Sequence, residues 1–263
     1  MKNCGFIGCG NMGGSLIRAA VKSTEPSRIW ITDKDQVKMT ALAQETGAKA
    51  AGIKDVASKC DMIFLGVKPQ FMADMLGEIK ETLDGRRDRF VLVTMAAGIV
   101  IERLKKMIGN YPVIRIMPNL PASVGEGMIM YCSEGVVKNE IDDFLALMSF
   151  AGKLTAIDEK FIDAGSAVSG CGPAYAFMFI EAMADGGVKC GLSRAQAQLL
   201  AAQTLFGSAK MVMESGRHPG DLKDAVCSPG GTTIEGVLAL EEGSFRSDVA
   251  KAVIKAYEKN KLL

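Results

Sequence analysis

Histidine is nearly missing from this sequence of 263 residues: His218 stands alone, which excludes most His-dependent catalytic triads and His-ligated metal or haem sites. No metal centre is expected. Neither sign of charge dominates, with 31 basic residues against 30 acidic, and the balance is close in both halves of the chain. The electrostatic footprint of a nucleic-acid or membrane-surface binder is therefore lacking. C-x-x-C pairs are absent too: the seven cysteines, Cys4, Cys9, Cys60, Cys132, Cys171, Cys190 and Cys227, are odd in number and scattered, so a complete disulfide framework is excluded and a reducing, cytoplasmic setting is expected. The N-terminus runs from Met1 straight into a structural motif with no apolar signal region. One uncharged run is long, the seventeen residues between Asp163 and Glu181, but Gly165, Gly170, Gly172 and Pro173 interrupt it. A buried helix pair is expected there rather than a membrane span.

What remains is an ordinary globular composition, 48% hydrophobic and 23% charged, able to bury a sizeable core and to form one large or two modest domains. Short apolar runs at residues 3–7, 28–32, 62–67, 90–94 and 113–117 alternate with helical patterns at 11–21, 35–45, 54–59, 71–83 and 101–108. That alternation predicts a parallel, doubly wound α/β sheet with right-handed crossovers. Past Ile157 no strand pattern is left, and Ala-rich helices broken by Gly and Pro are expected at 159–170, 173–189, 193–215, 218–227, 231–242 and 244–260. Ser193 followed by Gln196 makes a capping box for one of them. The domains are accordingly 1–155, a dinucleotide-binding sheet, and 156–263, an all-α unit. A helical unit this rich in Ala and Met buries its apolar faces against a twin more readily than alone, so isologous dimerisation is expected, with packing on the first domain as the alternative.

Gly8-Cys9-Gly10-Asn11-Met12-Gly13 is G-x-G-x-x-G set between the first strand and the first helix, and Asp33 lies twenty residues beyond its last glycine at the end of the next strand. Gly8 allows the tight turn, Gly10 lets backbone approach a pyrophosphate, Gly13 lets helix pack on strand, and helix amides meet the phosphate charge. Asp33 suits a ribose 2′-hydroxyl and opposes a 2′-phosphate, whereas Lys34 and Lys54 pull the other way unless they are solvated surface lysines. Asp33 is equally suited to cap the helix that follows it. Val67-Lys68-Pro69 and Ala96-Ala97-Gly98 close two other strands at the edge where such sheets bind ligands, or are plain connections.

In the helical half, Ser228-Pro229-Gly230-Gly231-Thr232-Thr233-Ile234 sets up a helix N-terminus whose amides and hydroxyls suit a carboxylate; the alternative is a simple capped start. With Gly5-Phe6-Ile7-Gly8-Cys9-Gly10-Asn11-Met12, Val67-Lys68-Pro69-Gln70, Ala96-Ala97-Gly98, Met117-Pro118-Asn119, Gly170-Cys171-Gly172-Pro173-Ala174-Tyr175 and Ser228-Pro229-Gly230-Gly231-Thr232-Thr233 in this order, the chain resembles the delta-1-pyrroline-5-carboxylate reductase family over essentially its whole length.

The resemblance implies an N-terminal Rossmann domain and a C-terminal helical dimerisation domain, with dimers that assemble into decamers in many members. It implies reduction of the cyclic imine to L-proline by NADPH or NADH, the last step of proline synthesis. Met12, the turn at Asp33, Val67, Lys68, Pro69 and Ala96 would line the cofactor. Ser228 and the amides of Gly231 and Thr232 would hold the substrate carboxylate, with the Thr233 hydroxyl near the ring nitrogen as the catalytic donor. Cys171 departs from the serine usual before Pro-Ala-Tyr, and Ile53-Lys54 and Asp33-Lys34 depart from the usual cofactor contacts; NADPH is the family's habit, while Asp33 favours NADH. Two other readings are a reductase of the β-hydroxyacid dehydrogenase type, whose interdomain-helix lysine has no counterpart between Asp163 and Met183, and a non-catalytic dinucleotide sensor.

Overall fold

The computed structural model describes residues 2–261. The chain forms two compact units, one running through Gly170 and taking back the C-terminal end from Tyr257, the other spanning Cys171–Ala256.

The first unit is built on one eight-stranded sheet. Its strands are β1 (Cys4–Ile7), β2 (Ile29–Thr32), β3 (Lys49–Ala50), β4 (Met62–Leu65), β5 (Val91–Thr94), β6 (Val113–Met117), β7 (Gly127–Glu134) and β8 (Gly152–Ala156), in the spatial order 3-2-1-4-5-6-7-8. Helices α1 (Asn11–Ser23), α2 (Gln36–Thr46), α3 (Ile53–Lys59), α4 (Met72–Asp84), α5 (Ile101–Ile108) and α6 (Lys138–Leu147) connect them. Strands β1, β2, β4 and β5 are buried along their whole length, the condition under which a parallel strand is written as an unbroken apolar run. Side chains alternate between two cores: Phe6 and Phe64 stack at 4.3 Å with Leu16, Ile17 and Phe144 on one face, while Ile7, Ile63 and Leu65 meet Met75, Ile79 and Leu104 on the other.

The five expected strands run parallel, joined at the edge by the short β3, but the sheet then reverses: β7 is antiparallel to β6, and β8 runs with β7. The sequence pattern misses β7, α6 and β8, and also β3, whose two residues are both exposed. Strand β7 is only half buried in places and β8 is an edge strand with mostly exposed residues, so neither carries a continuous apolar run. A close backbone approach joins them, for a Cβ on Gly152 (φ 132°) would lie 2.0 Å from the Gly127 carbonyl oxygen.

Arg115 on β6 is 2% exposed, although charged side chains are seldom buried so fully. Its Nη1 donates to Glu159 Oε1 at 3.1 Å, and Asp163 lies 3.7 Å from Nη2. Glu159 Oε1 also accepts the Ile101 amide at 2.8 Å, so one carboxylate joins β6 to the start of α5. Nε and Nη2 make no hydrogen bond among the described residues. Arg115→Ala is expected to cost about 3 kcal/mol in urea unfolding, whereas Arg115→Met, which refills the volume and leaves no buried charge, costs under about 1.5 kcal/mol. Equal losses would show that the charge, rather than the packing, is what the site needs.

The division between units comes after Gly170, later than the expected boundary at 155. Residues 156–170 stay with the sheet because α7 (Ile162–Ser169) buries Ile162 and Ala167, Gly165 leaves room for Met130, and Asn119 Nδ2 donates to the Ser169 carbonyl at 2.9 Å.

The second unit contains α8 (Gly172–Lys189), α9 (Arg194–Ser215), α10 (Pro219–Val226), α11 (Thr232–Glu242) and the larger part of α12 (Phe245–Asn260). Ser193 and Gln196 form the expected capping box at the head of α9. Only Ala184, Ala197 and Ala201 of this unit are fully buried. The expected buried helix pair is thus corrected: α7 and α8 exist, broken at Gly170–Cys171, but Val168 on α7 and Phe177, Met178 and Met183 on α8 are exposed. The stretch Glu159–Lys189 is long and apolar enough, by length and composition alone, to cross a membrane.

Candidate active site

The turn from β1 into α1 is shaped by three glycines that do different work. Gly8 has φ 115°, and a Cβ there would sit 2.6 Å from the Gly66 carbonyl oxygen; a Cβ on Gly13 would sit 2.1 Å from that of Gly8. These two let backbone touch backbone. Gly10 faces open space, with nothing within 4 Å of a Cβ, which is the room an approaching pyrophosphate needs. Helix α1 begins at this residue with no side-chain cap and no acid in its first turn. Its leading amides are therefore left to an anion, and the residues fit a dinucleotide.

Beyond the turn, a cavity of about 840 Å³ opens at the C-terminal ends of β1, β2 and β4. Of the residues singled out in the sequence, Gly8, Gly10, Asp33, Lys34, Val67 and Lys68 line it. Asn11, Met12 and Gly13 form the adjoining first turn of α1, Lys54 follows the lining residues Gly52 and Ile53, and Pro69 opens the short turn that brings Phe71 to the wall. Ala96 and Ala97 lie past the end of β5, next to β4 in the sheet but outside the cavity, with Ala96 buried and Ala97 exposed. Lys38, Phe71 and Glu78 were not legible as wall residues, because only the packing of α2 and α4 brings them to one place. Lys34 pairs with Glu78 at 3.3 Å. Asp33 does not cap α2. That cap is Asp35, whose Oδ1 accepts the Lys38 amide, while Asp33 accepts the amides of Cys9 and Asp35. Burial and the nearby Asp33 push the Cys9 thiol up to about 12, so it stays protonated and inert.

In the second unit, Gly230 (φ 66°) and the hydrogen bond from the Gly231 amide to the Ser228 carbonyl, 3.0 Å, fold a tight turn ahead of α11. A Cβ on Gly231 would collide with Ser228 Oγ at 2.3 Å, so glycine keeps the serine hydroxyl against the helix start. Helix α11 begins at Thr232 with no side-chain cap, which leaves the simple capped start unrealised and the hydroxyls of Thr232 and Thr233 unspent on that task. Cys171 stands at the head of α8; burial and the neighbouring Cys171 raise the Tyr175 phenol above its ordinary range, and that phenol donates to the Ala252 carbonyl. Among the described residues, no three His, Cys, Asp or Glu side chains cluster as a metal site would require.

Residues 3–98 match a family model described as NADP oxidoreductase, coenzyme F420-dependent, and residues 159–263 match one described as pyrroline-5-carboxylate reductase dimerisation. The pyrroline-5-carboxylate reductase of Escherichia coli is 45% identical over 267 residues, covering all of this chain and 98% of its own. The chain belongs to the pyrroline-5-carboxylate reductase family. Pyrroline carboxylate reductase of Plasmodium falciparum, crystallised with NADP bound, is 33% identical with a TM-score of 0.86 and covers 99% of this chain and 97% of that one. The pyrroline-5-carboxylate reductase structure from Coxiella burnetii has a TM-score of 0.91 at 29% identity, with the same coverage.

Proposed function

We infer that this chain reduces delta-1-pyrroline-5-carboxylate to L-proline, with NADPH or NADH as the donor. The observation that carries the reading is the uncapped start of α1 behind Gly10, opening on the cavity at the C-terminal strand ends, in a chain of this family. The bound dinucleotide supplies the hydride. The residues supply alignment: the first-turn amides of α1 hold the pyrophosphate, and Lys34, Lys38 and Lys68 answer the remaining negative charge of the nucleotide.

At the turn before α11, the Ser228 hydroxyl and the Thr232 amide hold the substrate carboxylate; the Gly231 amide, expected to join them, is spent on the Ser228 carbonyl, and Gly230 and Gly231 give the turn its shape. The Thr233 hydroxyl faces the ring nitrogen and donates to the lone pair that develops there as the amine forms. A protonated cyclic imine is already electrophilic, so no stronger acid is needed. The carbon of the C=N bond takes the hydride while the nitrogen keeps its proton. The enzyme is proposed to work in the cytoplasm, with α8–α12 as the contact of a homodimer, the unit from which a decamer is built; the exposed Leu199, Leu200, Phe206, Met211 and Met213 support that face.

The test is oxidation of NADPH and of NADH by the purified protein, followed at 340 nm, with pyrroline-5-carboxylate or a β-keto acid as acceptor. Turnover with the pyrroline alone is expected. Turnover with the keto acid would assign the chain to the hydroxyacid dehydrogenase type, and binding with no turnover would make it a sensor.

A further inference from the structure

We propose that Asp33 serves the dinucleotide through the glycine-rich turn, as a latch on the Cys9 amide, and does not read the adenosine ribose. The proposal rests on the dinucleotide reading above and concerns how that site is held.

The turn is bolted to β2 by consecutive hydrogen bonds. The Gly8 amide donates to the Thr32 carbonyl at 2.8 Å, and the Cys9 amide donates to Asp33 Oδ2 at 2.5 Å. Cys9 Sγ, buried, adds a weaker contact to the Thr32 carbonyl at 3.7 Å. The peptide group between Gly8 and Cys9 is thereby fixed from both sides: its N–H points into the Asp33 carboxylate, and its carbonyl oxygen lies where Gly13 leaves no room for a Cβ. The next residue, Gly10, opens the uncapped turn of α1. Rotation of that peptide would alter the floor of the phosphate site directly, and Asp33 is the side chain that opposes it.

The other carboxylate oxygen is engaged as well. Oδ1 accepts the Asp35 amide at 2.8 Å, and Asp35 in turn caps α2, so Asp33 ties the turn to the head of the next helix. A carboxylate held by two amides, one per oxygen, is oriented by backbone rather than by ligand. The cavity wall around it carries Lys34, Lys38 and Lys68 beside Asp33 and Glu78. Asp33 does not make that wall anionic. It is a positioning residue.

The two roles separate in a binding measurement. Trp30, the sole tryptophan, lies on β2 two residues before Thr32 of the cavity wall, so energy transfer from Trp30 to the reduced nicotinamide reports dissociation constants for NADH and NADPH without turnover. Asp33→Ala is expected to raise both constants together by about 10- to 100-fold, the loss of one hydrogen bond to a charged acceptor, with their ratio within about threefold of wild type. Asp33→Asn keeps an oxygen for the Cys9 amide and is expected to recover most of the affinity for both. A ribose reader behaves otherwise: its removal weakens NADH alone and moves the ratio more than about tenfold toward NADPH, in either variant, and that result overturns the latch, as does no change in either constant. Should Asp33→Ala fail to fold, the ratio in Asp33→Asn decides. Wild type binding neither nucleotide would remove the proposed function itself, an outcome distinct from a shifted ratio.

Discussion

Gly13→Ala is expected to raise the dissociation constants of NADPH and NADH more than about 100-fold and to lower the unfolding free energy by about 1–3 kcal/mol. A Cβ at that position would lie 2.1 Å from the Gly8 carbonyl oxygen. The neighbour is backbone, already pinned through the Cys9 amide, so no flexible side chain can yield; either α1 shifts off β1 or the turn opens, and both dismantle the phosphate site. Gly10→Ala is the companion measurement. Its Cβ meets nothing in the protein, so urea unfolding is expected to stay within about 0.5–1 kcal/mol of wild type while nucleotide affinity falls, because the methyl occupies the space meant for pyrophosphate. If Gly13→Ala binds either nucleotide within about threefold of wild type, the close packing of helix on strand is not what makes the site.

Thr233→Ala is expected to lower kcat/KM for pyrroline-5-carboxylate by about 10- to 1000-fold, the range for loss of one positioned donor, while NADPH affinity is unchanged. The same hydroxyl would contribute roughly 1 kcal/mol of stability were it a helix cap, but α11 begins without a side-chain cap, so the unfolding midpoint should barely move. Thr233→Ser restores the donor and should recover most of the rate. A variant with normal turnover removes Thr233 from the chemistry, and one with a lowered midpoint but normal kcat/KM returns it to the helix.

Which parts of this molecule could be seen in its sequence follows from what covers them. Strands β1, β2, β4, β5 and β6 were legible because helices bury both faces, leaving runs such as Met62-Ile63-Phe64-Leu65 with no polar interruption. The glycine-rich turn was legible because its demands are local: one positive φ and one close approach, met by residues five apart in sequence. Strands β7 and β8 were not, since the half-buried Met128 and the exposed Lys153 follow from their place at the far side of the sheet, which no local pattern encodes. Asp33 shows a subtler limit. Its spacing from Gly13 pointed to the right neighbourhood, yet the direction of its carboxylate depends on which amides stand within reach. Likewise the apolar types of Phe177 and Met178 say that something should cover them without saying whether the cover belongs to the same chain.

Three alanines at the heart of the Cys171–Ala256 unit amount to very little interior, and hydrophobic stabilisation scales with the area removed from water. Cohesion gained from a twin is governed by mass action, so resistance to heat becomes a property of the solution as much as of the polypeptide. The melting temperature should climb with the logarithm of protein concentration, and specific activity should sag on extreme dilution. A flat melting temperature across a thousandfold range would mean that each chain keeps its own helices together unaided.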